Sequence, residues 1–276
     1  MNQNIGVIGL GAMGHGMASS LRRAGYVVHV CDVRPEAATA FAAGGGIACA
    51  SPAELASHCE VVVSVVVNAA QTEAVLFGDH GAADALAPGS VFVMCSTVDP
   101  NWTVALEKRL AGRGLLYLDA PISGGAAKAA SGQMTMMTSG RPEAYAKVGA
   151  ALDAMAAKVY RLGDAAGPGS KVKIINQLLA GVHIAAAAEA MALGLREGVA
   201  AEALYEVIEQ RRQQLDVREP HGARNRRRLH AAFGRRHFRE RPWSRARHGT
   251  RQQIPAAALG HRAPDVHAGV ERRPRP

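Results

Sequence analysis

A Rossmann-type α/β fold, a doubly wound parallel sheet followed by a truncated all-α domain, is predicted by three observations. Short apolar strand runs alternate with Ala-rich helical segments, a glycine-rich turn joins the first strand to the first helix, and after Gly163 one long apolar helical run takes over. Asn4 to Gly9 is the first strand, Ala12 to Ala24 has helical composition, and Tyr26 to Cys31 returns to β-branched residues, which makes a βαβ unit. Buried-strand runs recur at Val61 to Val67, Val91 to Met94 and Leu115 to Leu118, the pattern of a parallel sheet covered on both faces. Asp99-Pro100 and Arg141-Pro142 open helices, because a proline at the first helical position gives up an N–H that has no intrahelical partner. Asp164 to Ser170 is a Gly/Pro/Ala connector, Lys171 to about Arg196 one helix, and Ala201 to Ile208 the start of the next. The expected domains are residues 1–164, 165–208 and 209–276, with no internal repeat.

Composition narrows the function. The 276 residues are 48% hydrophobic, enough for a core, and 4% aromatic, too few for a base-stacking nucleic-acid platform. Cys31, Cys49, Cys59 and Cys95 have no metal-ligand spacing and no leader precedes them, so they read as core thiols of a cytoplasmic protein. No uninterrupted run of about 18 apolar residues occurs; the longest candidate, Leu178 to Leu195, contains His183 and Glu189. The net charge of +9 is unevenly placed. Residues 1–208 carry 14 Lys+Arg against 17 Asp+Glu, whereas residues 209–276 carry 18 Arg, no Lys and 6 Asp+Glu.

The turn Gly9-Leu10-Gly11-Ala12-Met13-Gly14 has the context of a dinucleotide fingerprint. Gly9 permits the tight turn, Gly11 lets backbone approach a pyrophosphate, Gly14 lets helix pack on strand, and the helix N-terminus donates to phosphate. Asp32 stands 18 residues beyond Gly14, at the end of the second strand, where a carboxylate accepts from ribose hydroxyls and repels a 2′-phosphate. NAD is therefore favoured, while Arg34 keeps NADP open.

Three motifs, Gly6 to Gly14, Asp119-Ala120-Pro121-Ile122-Ser123-Gly124-Gly125, and Lys173-Ile174-Ile175-Asn176-Gln177, resemble those of the β-hydroxyacid dehydrogenase family, which includes 3-hydroxyisobutyrate dehydrogenase and tartronate semialdehyde reductase. The resemblance covers residues 1 to about 208 and is nearest the L-threonate dehydrogenase subgroup. It implies NAD(P)-dependent oxidation of a small hydroxyacid by a homodimer or homotetramer. Ser123, Gly124 and Gly125 would surround the substrate carboxylate, and a Gly-Gly turn offers amides free of side chains for that task. Lys173 would be the general acid/base, on a helix apolar enough to desolvate its amine, with Asn176 and Gln177 on the same face at i+3 and i+4. Asn176 would align amine or substrate; Gln177 stands where the family commonly has a second Asn. Asn68, Ser96 and Thr97, at carboxyl ends of strands, resemble cofactor contacts, although Cys95 departs from the acidic residue of many relatives. Lys171 reads as solvated, and His183 as packed inside a helix bundle.

Residues 209–276 have no usable periodicity, and their composition is that of GC-rich DNA read out of frame. The codons of Gln213 to His221, read one base later, permit Ser-Ser-Trp-Met-Phe-Glu-Asn-Arg, and those of Arg235 to Trp243 permit Val-Asp-Ile-Phe-Val-Lys-Asp-Leu-Gly. Both strings resemble family segments expected there in that order. A single-base frame change near Glu209 is the expectation, with a disordered basic tail and impaired assembly as its result. The competing expectations are a basic arm for nucleic acid and an NAD-binding pseudoenzyme without turnover.

Overall fold

The computed structural model describes residues 3–207; the tail beyond, with the expectations attached to it, lies outside the described residues. Its strands are β1 (Asn4–Ile8), β2 (Val27–Cys31), β3 (Ile47–Ala48), β4 (Val61–Ser64), β5 (Val91–Met94), β6 (Leu116–Asp119), β7 (Ile122–Ser123), β8 (Met134–Gly140) and β9 (Ala156–Arg161). Its helices are α1 (Gly14–Arg23), α2 (Pro35–Ala43), α3 (Pro52–Ser57), α4 (Ala69–Phe77), α5 (Pro100–Ala111), α6 (Gly125–Ala130), α7 (Pro142–Met155) and α8 (Pro168–Arg196). The sheet runs β3-β2-β1-β4-β5-β6-β8-β7, with β9 on β8. Its first six members are parallel; β8 runs antiparallel to β6 and β7, and parallel to β9.

The parallel strands are buried on both faces, so each feeds two cores. Ile5, Val7, Val61, Val63, Val91 and Val93 meet Met17 and Leu21 of α1 and Val148 and Leu152 of α7. Ile8, Val62, Phe92 and Met94 point the other way, to Leu55, Leu76, Leu106 and Leu110. This two-sided burial is what a continuous Val-rich run signals, in place of polar alternation. The proline-led helices begin as their sequences require. Asp99 Oδ1 accepts from the amides of Asn101 (2.7 Å) and Trp102 (3.2 Å), and α7 starts at Pro142.

The strand expected over Val61 to Val67 ends at Ser64, and the connector expected over Asp164 to Ser170 is partly helical, since α8 begins at Pro168. The second difference arises because the Gly and Pro residues serve a helix start and close packing rather than a linker. All four cysteines are free and buried, as expected. Burial pushes the thiols of Cys49 to about 11 and of Cys59 and Cys95 to about 12, so they are not nucleophiles at neutral pH.

By length and composition α8 is apolar enough to cross a bilayer, the one such helix among the described residues. Core helices of soluble proteins share that property, and the first turns of α8 are docked, with Gly169, Ser170 and Lys173 buried. Farther along it is uncovered: Leu178 is 67% and Ile184 71% exposed. His183, expected inside a bundle, is exposed among the described residues because nothing there packs on that stretch of α8.

Candidate active site

The fingerprint turn lies at the carboxyl end of β1, the central strand from which the chain winds outward in both directions, and that is where open α/β sheets bind ligands. Each glycine meets a different constraint. Gly9 has φ +94, and the amide it turns inward donates to Cys31 O at 2.9 Å. A Cβ on Gly14 would stand 1.8 Å from Gly9 O, so helix and turn touch backbone to backbone. Gly11 is different: a Cβ there would meet nothing within 4 Å, and Gly11 and Ala12 are exposed. Leu10 is buried and Met13 packs partly against the core, so the turn is held from below and open above. An uncovered glycine beside the N-terminus of α1 is a cradle that fits a dinucleotide pyrophosphate.

Asp32 closes one side of that cradle. Its Oδ2 accepts from Leu10 N at 2.6 Å, while Oδ1 accepts from Arg34 N at 2.9 Å and from Arg34 Nε at 3.3 Å. Burial alone would raise this carboxyl, but the two amides and the Arg34 guanidinium outweigh it and hold the group below the usual carboxylate range. Asp32 is thus a charged acceptor with lone pairs left for ribose hydroxyls, and Arg34 is engaged with Asp32 itself. We predict that Asp32→Ala weakens NAD binding about tenfold and shifts preference toward NADP. Titrating NADH and NADPH fluorescence against both proteins checks this; an unchanged preference would remove Asp32 from the site.

The other expected cofactor positions lie at the neighbouring strand ends. Asn68 is exposed and caps α4, its Oδ1 accepting from Gln71 N at 2.9 Å, while Gln71 Oε1 accepts from Val67 N at 2.8 Å. Ser96 is turned inward, 2% exposed, and donates to Val66 O at 2.7 Å. Its hydroxyl therefore braces the loop between β4 and α4, while exposed Thr97 beside it is free to meet a ligand.

The Asp119 to Gly125 segment spans β6, β7 and the start of α6. Ser123 pairs with Thr135 of β8 and is partly exposed; Gly124 (φ 140) and Gly125 (φ 76) adopt left-handed backbone that favours glycine, and both are exposed. Asp119, at the head of the segment, is fully buried. Its Oδ2 accepts from Ser139 Oγ (3.2 Å), Gly167 N (3.0 Å) and Ser170 N (2.9 Å), and its Oδ1 from Ser170 Oγ (2.7 Å). Ser139 Oγ in turn accepts from Gly169 N at 2.9 Å. Burial dominates and holds the Asp119 carboxyl above the usual carboxylate value, although these donors offset part of that rise.

One turn beyond Ser170 stands Lys173, 6% exposed in a helix whose Lys171 is exposed. Burial pushes the Lys173 amine below the ordinary lysine value. Asn176 is half-buried on the same side and Gln177 is exposed. Sequence reasoning found the amine and the glycine turn but missed Asp119, Ser139 and Ser170 as the link between them. The partners lie 20 to 51 residues from Asp119, and only its place at the head of the motif hinted at a role. Among the described residues no cluster of His, Cys, Asp and Glu could hold a metal.

Comparison with known proteins identifies relatives over the same residues. Residues 4–163 match the NAD-binding domain of 6-phosphogluconate dehydrogenase, and residues 167–212 the NAD-binding family of NADP-dependent 3-hydroxyisobutyrate dehydrogenase. An L-threonate dehydrogenase of Cupriavidus necator is 67% identical over 208 residues, 75% of this chain and 70% of that protein. One from Haemophilus influenzae is 45% identical over 208 residues, 75% of this chain and 69% of that protein. The crystal structure of a 3-hydroxyisobutyrate dehydrogenase from Salmonella typhimurium superposes with TM-score 0.73 and 42% identity, covering 84% of this chain and 79% of that one. This coverage of named dehydrogenases weighs against an inactive NAD binder.

Proposed function

The chain belongs to the β-hydroxyacid dehydrogenase family of 3-hydroxyisobutyrate dehydrogenase, and from that footing we propose that it oxidises a short polyhydroxy acid, L-threonate first, using Lys173 as general base. It is an NAD-dependent dehydrogenase acting on a CH–OH group. The choice of L-threonate is supported by the relatives that carry that name; 3-hydroxyisobutyrate and tartronate semialdehyde follow.

The observation that carries the mechanism is a buried amine on a helix bonded to the strand that leads into the Ser123–Gly125 turn. The Ser123 hydroxyl and the amides of Gly124 and Gly125 hold the substrate carboxylate, and Asn176 steadies the amine or the substrate hydroxyl. Gly9, Leu10, Gly11, Ala12, Met13 and Gly14 seat the pyrophosphate, Asp32 the ribose, and Asn68, Ser96 and Thr97 border the nicotinamide end. NAD, when bound, supplies the hydride acceptor. Neutral Lys173 takes the hydroxyl proton as the C–H bond is broken, and the protonated amine returns it in the reverse direction.

The sign of the pH dependence follows. Because burial lowers the Lys173 value from 10.5, oxidation should rise with pH through that lowered midpoint, and carbonyl reduction should fall through it. Rate profiles in both directions check this; parallel profiles would exclude Lys173 as the proton carrier.

We further propose that residues 165–208 begin the helical substrate and oligomerisation domain of a soluble homodimer or homotetramer, and that the coding frame changes near Glu209. The exposed apolar face of α8 supports the first part, and similarity that spans only 208 residues, 70% and 69% of the lengths of two such relatives, supports the second. The test is an NADH-absorbance screen over a panel of small hydroxyacids, run on this chain and on a frame-restored version. L-threonate should lead, with the restored version faster. No turnover of any hydroxyacid by either would sink the reading.

A further inference from the structure

The first turn of a long helix exposes N–H groups that need acceptors, and α8 has no side-chain cap of its own, since its N-cap is Gly167. Pro168 has no N–H to satisfy. The amides of Gly167 and Ser170 go to Asp119 Oδ2, and that of Gly169 goes to Ser139 Oγ, which donates onward to the same oxygen. Ser170 adds its hydroxyl to Asp119 Oδ1, so both carboxylate oxygens grip one residue. A single buried carboxylate from β6 therefore caps α8 from a distance, its negative charge facing the positive end of a 29-residue helix.

The approach is also close. A Cβ on Gly169 would stand 2.5 Å from Met137 O and closer than ordinary van der Waals contact to Asp119, 3.0 Å from its O and 3.1 Å from its Oδ2. The left-handed Gly167 (φ 117) delivers the chain into this position. The joint is thus built from Asp119, Ser139, Gly167, Gly169 and Ser170. It leads to the two halves of the proposed site: Ser123 four residues beyond Asp119 on one chain segment, and Lys173 three residues beyond Ser170 on the other.

We propose that Asp119 is a positioning residue, which fixes the first turn of α8 against β6 and thereby sets the depth and direction of the Lys173 amine relative to the Ser123–Gly125 turn. This rests on the reading of Lys173 as general base. Asp119 acts through Ser170 and does not handle the transferred proton.

The test uses the full chain and reads the amine itself. Trace acetylation with acetic anhydride across pH, followed by peptide mass spectrometry, reports the reactivity of Lys173 with exposed Lys171 as internal reference. In Asp119→Asn the cap loses its charge and one acceptor, water reaches the amine, and the Lys173 midpoint should move up by about one pH unit toward the ordinary lysine value. Hydrogen exchange should speed at residues 169–175, while β1, β4 and β5 stay protected. Ser170→Ala should act in the same direction with a smaller shift, and it decides the matter if Asp119→Asn does not fold. A folded Asp119→Asn with unchanged Lys173 reactivity would overturn the proposal, as would loss of protection spread evenly over the sheet together with a silent Ser170→Ala. Failure of the general-base reading is separable: it would appear as retained turnover in Lys173→Met, whatever the labelling reports.

Discussion

Lys173→Met is expected to cut turnover by about 10²–10⁴-fold while leaving NADH affinity unchanged. Methionine keeps the length and volume of the lysine stem, so packing beneath α8 is preserved and the loss isolates the proton-transfer role. The same variant should be more stable at neutral pH. The folded enzyme holds the amine below its unfolded value of 10.5, which means folding opposes protonation. That cost is full below the lowered midpoint and disappears as pH rises through it toward the unfolded value. Lys173→Met removes the cost, so its advantage in melting temperature should be largest near neutrality and should shrink toward pH 10. Opposite signs in activity and stability identify a functional site, because a core lysine kept for packing would lose both or neither. Rates should be taken on the frame-restored version beside this chain, and melting curves on both. Wild-type turnover in the variant would remove Lys173 from the mechanism.

The parts of the fold that sequence revealed are those written in local chemistry. The parallel strands declared themselves through runs such as Val61 to Ser64, whose residues are all buried. Helix starts were marked by Asp99-Pro100 and Arg141-Pro142. By contrast β8, Met-Thr-Met-Met-Thr-Ser-Gly, has neither β-branched aliphatics nor alternation, and it is a strand because β6, β7 and β9 all pair with it. β9 is mostly exposed and carries little signal alone. The site follows the same division. Gly9 to Gly14 and Asp32 form a local pattern with a local cause, and Lys173 stood out as a charge in an apolar helix. The amide oxygen of Asn68 caps α4 and the hydroxyl of Ser96 braces Val66, which only three-dimensional contacts reveal. The role of Asp119 depends on partners up to 51 residues away, and the Gly167-Pro168-Gly169-Ser170 stretch that reads as a linker is the other half of that joint.

Gly14→Ala and Gly11→Ala should separate the two reasons a dinucleotide turn needs glycine. At Gly14 the new Cβ would lie 1.8 Å from Gly9 O and 3.3 Å from Val65 Cβ. Real contacts of that kind do not exist, so α1 must move away from β1, taking its N-terminal amides from the pyrophosphate and loosening Met17 and Leu21 in the core. Both stability and NADH affinity should fall, the affinity by about 100-fold, or about 2.7 kcal/mol. At Gly11 nothing lies within 4 Å, and its φ is outside the left-handed region, so alanine fits the unliganded protein without strain. Its methyl group occupies the open side of the turn, where the pyrophosphate must approach the backbone. Gly11→Ala should therefore melt like wild type and still bind NADH at least about tenfold more weakly. Differential scanning calorimetry beside fluorescence titration reads both quantities on the same samples. Undiminished NADH affinity in Gly11→Ala would mean that the dinucleotide does not cross the turn at Gly11, and the cradle would have to be redrawn.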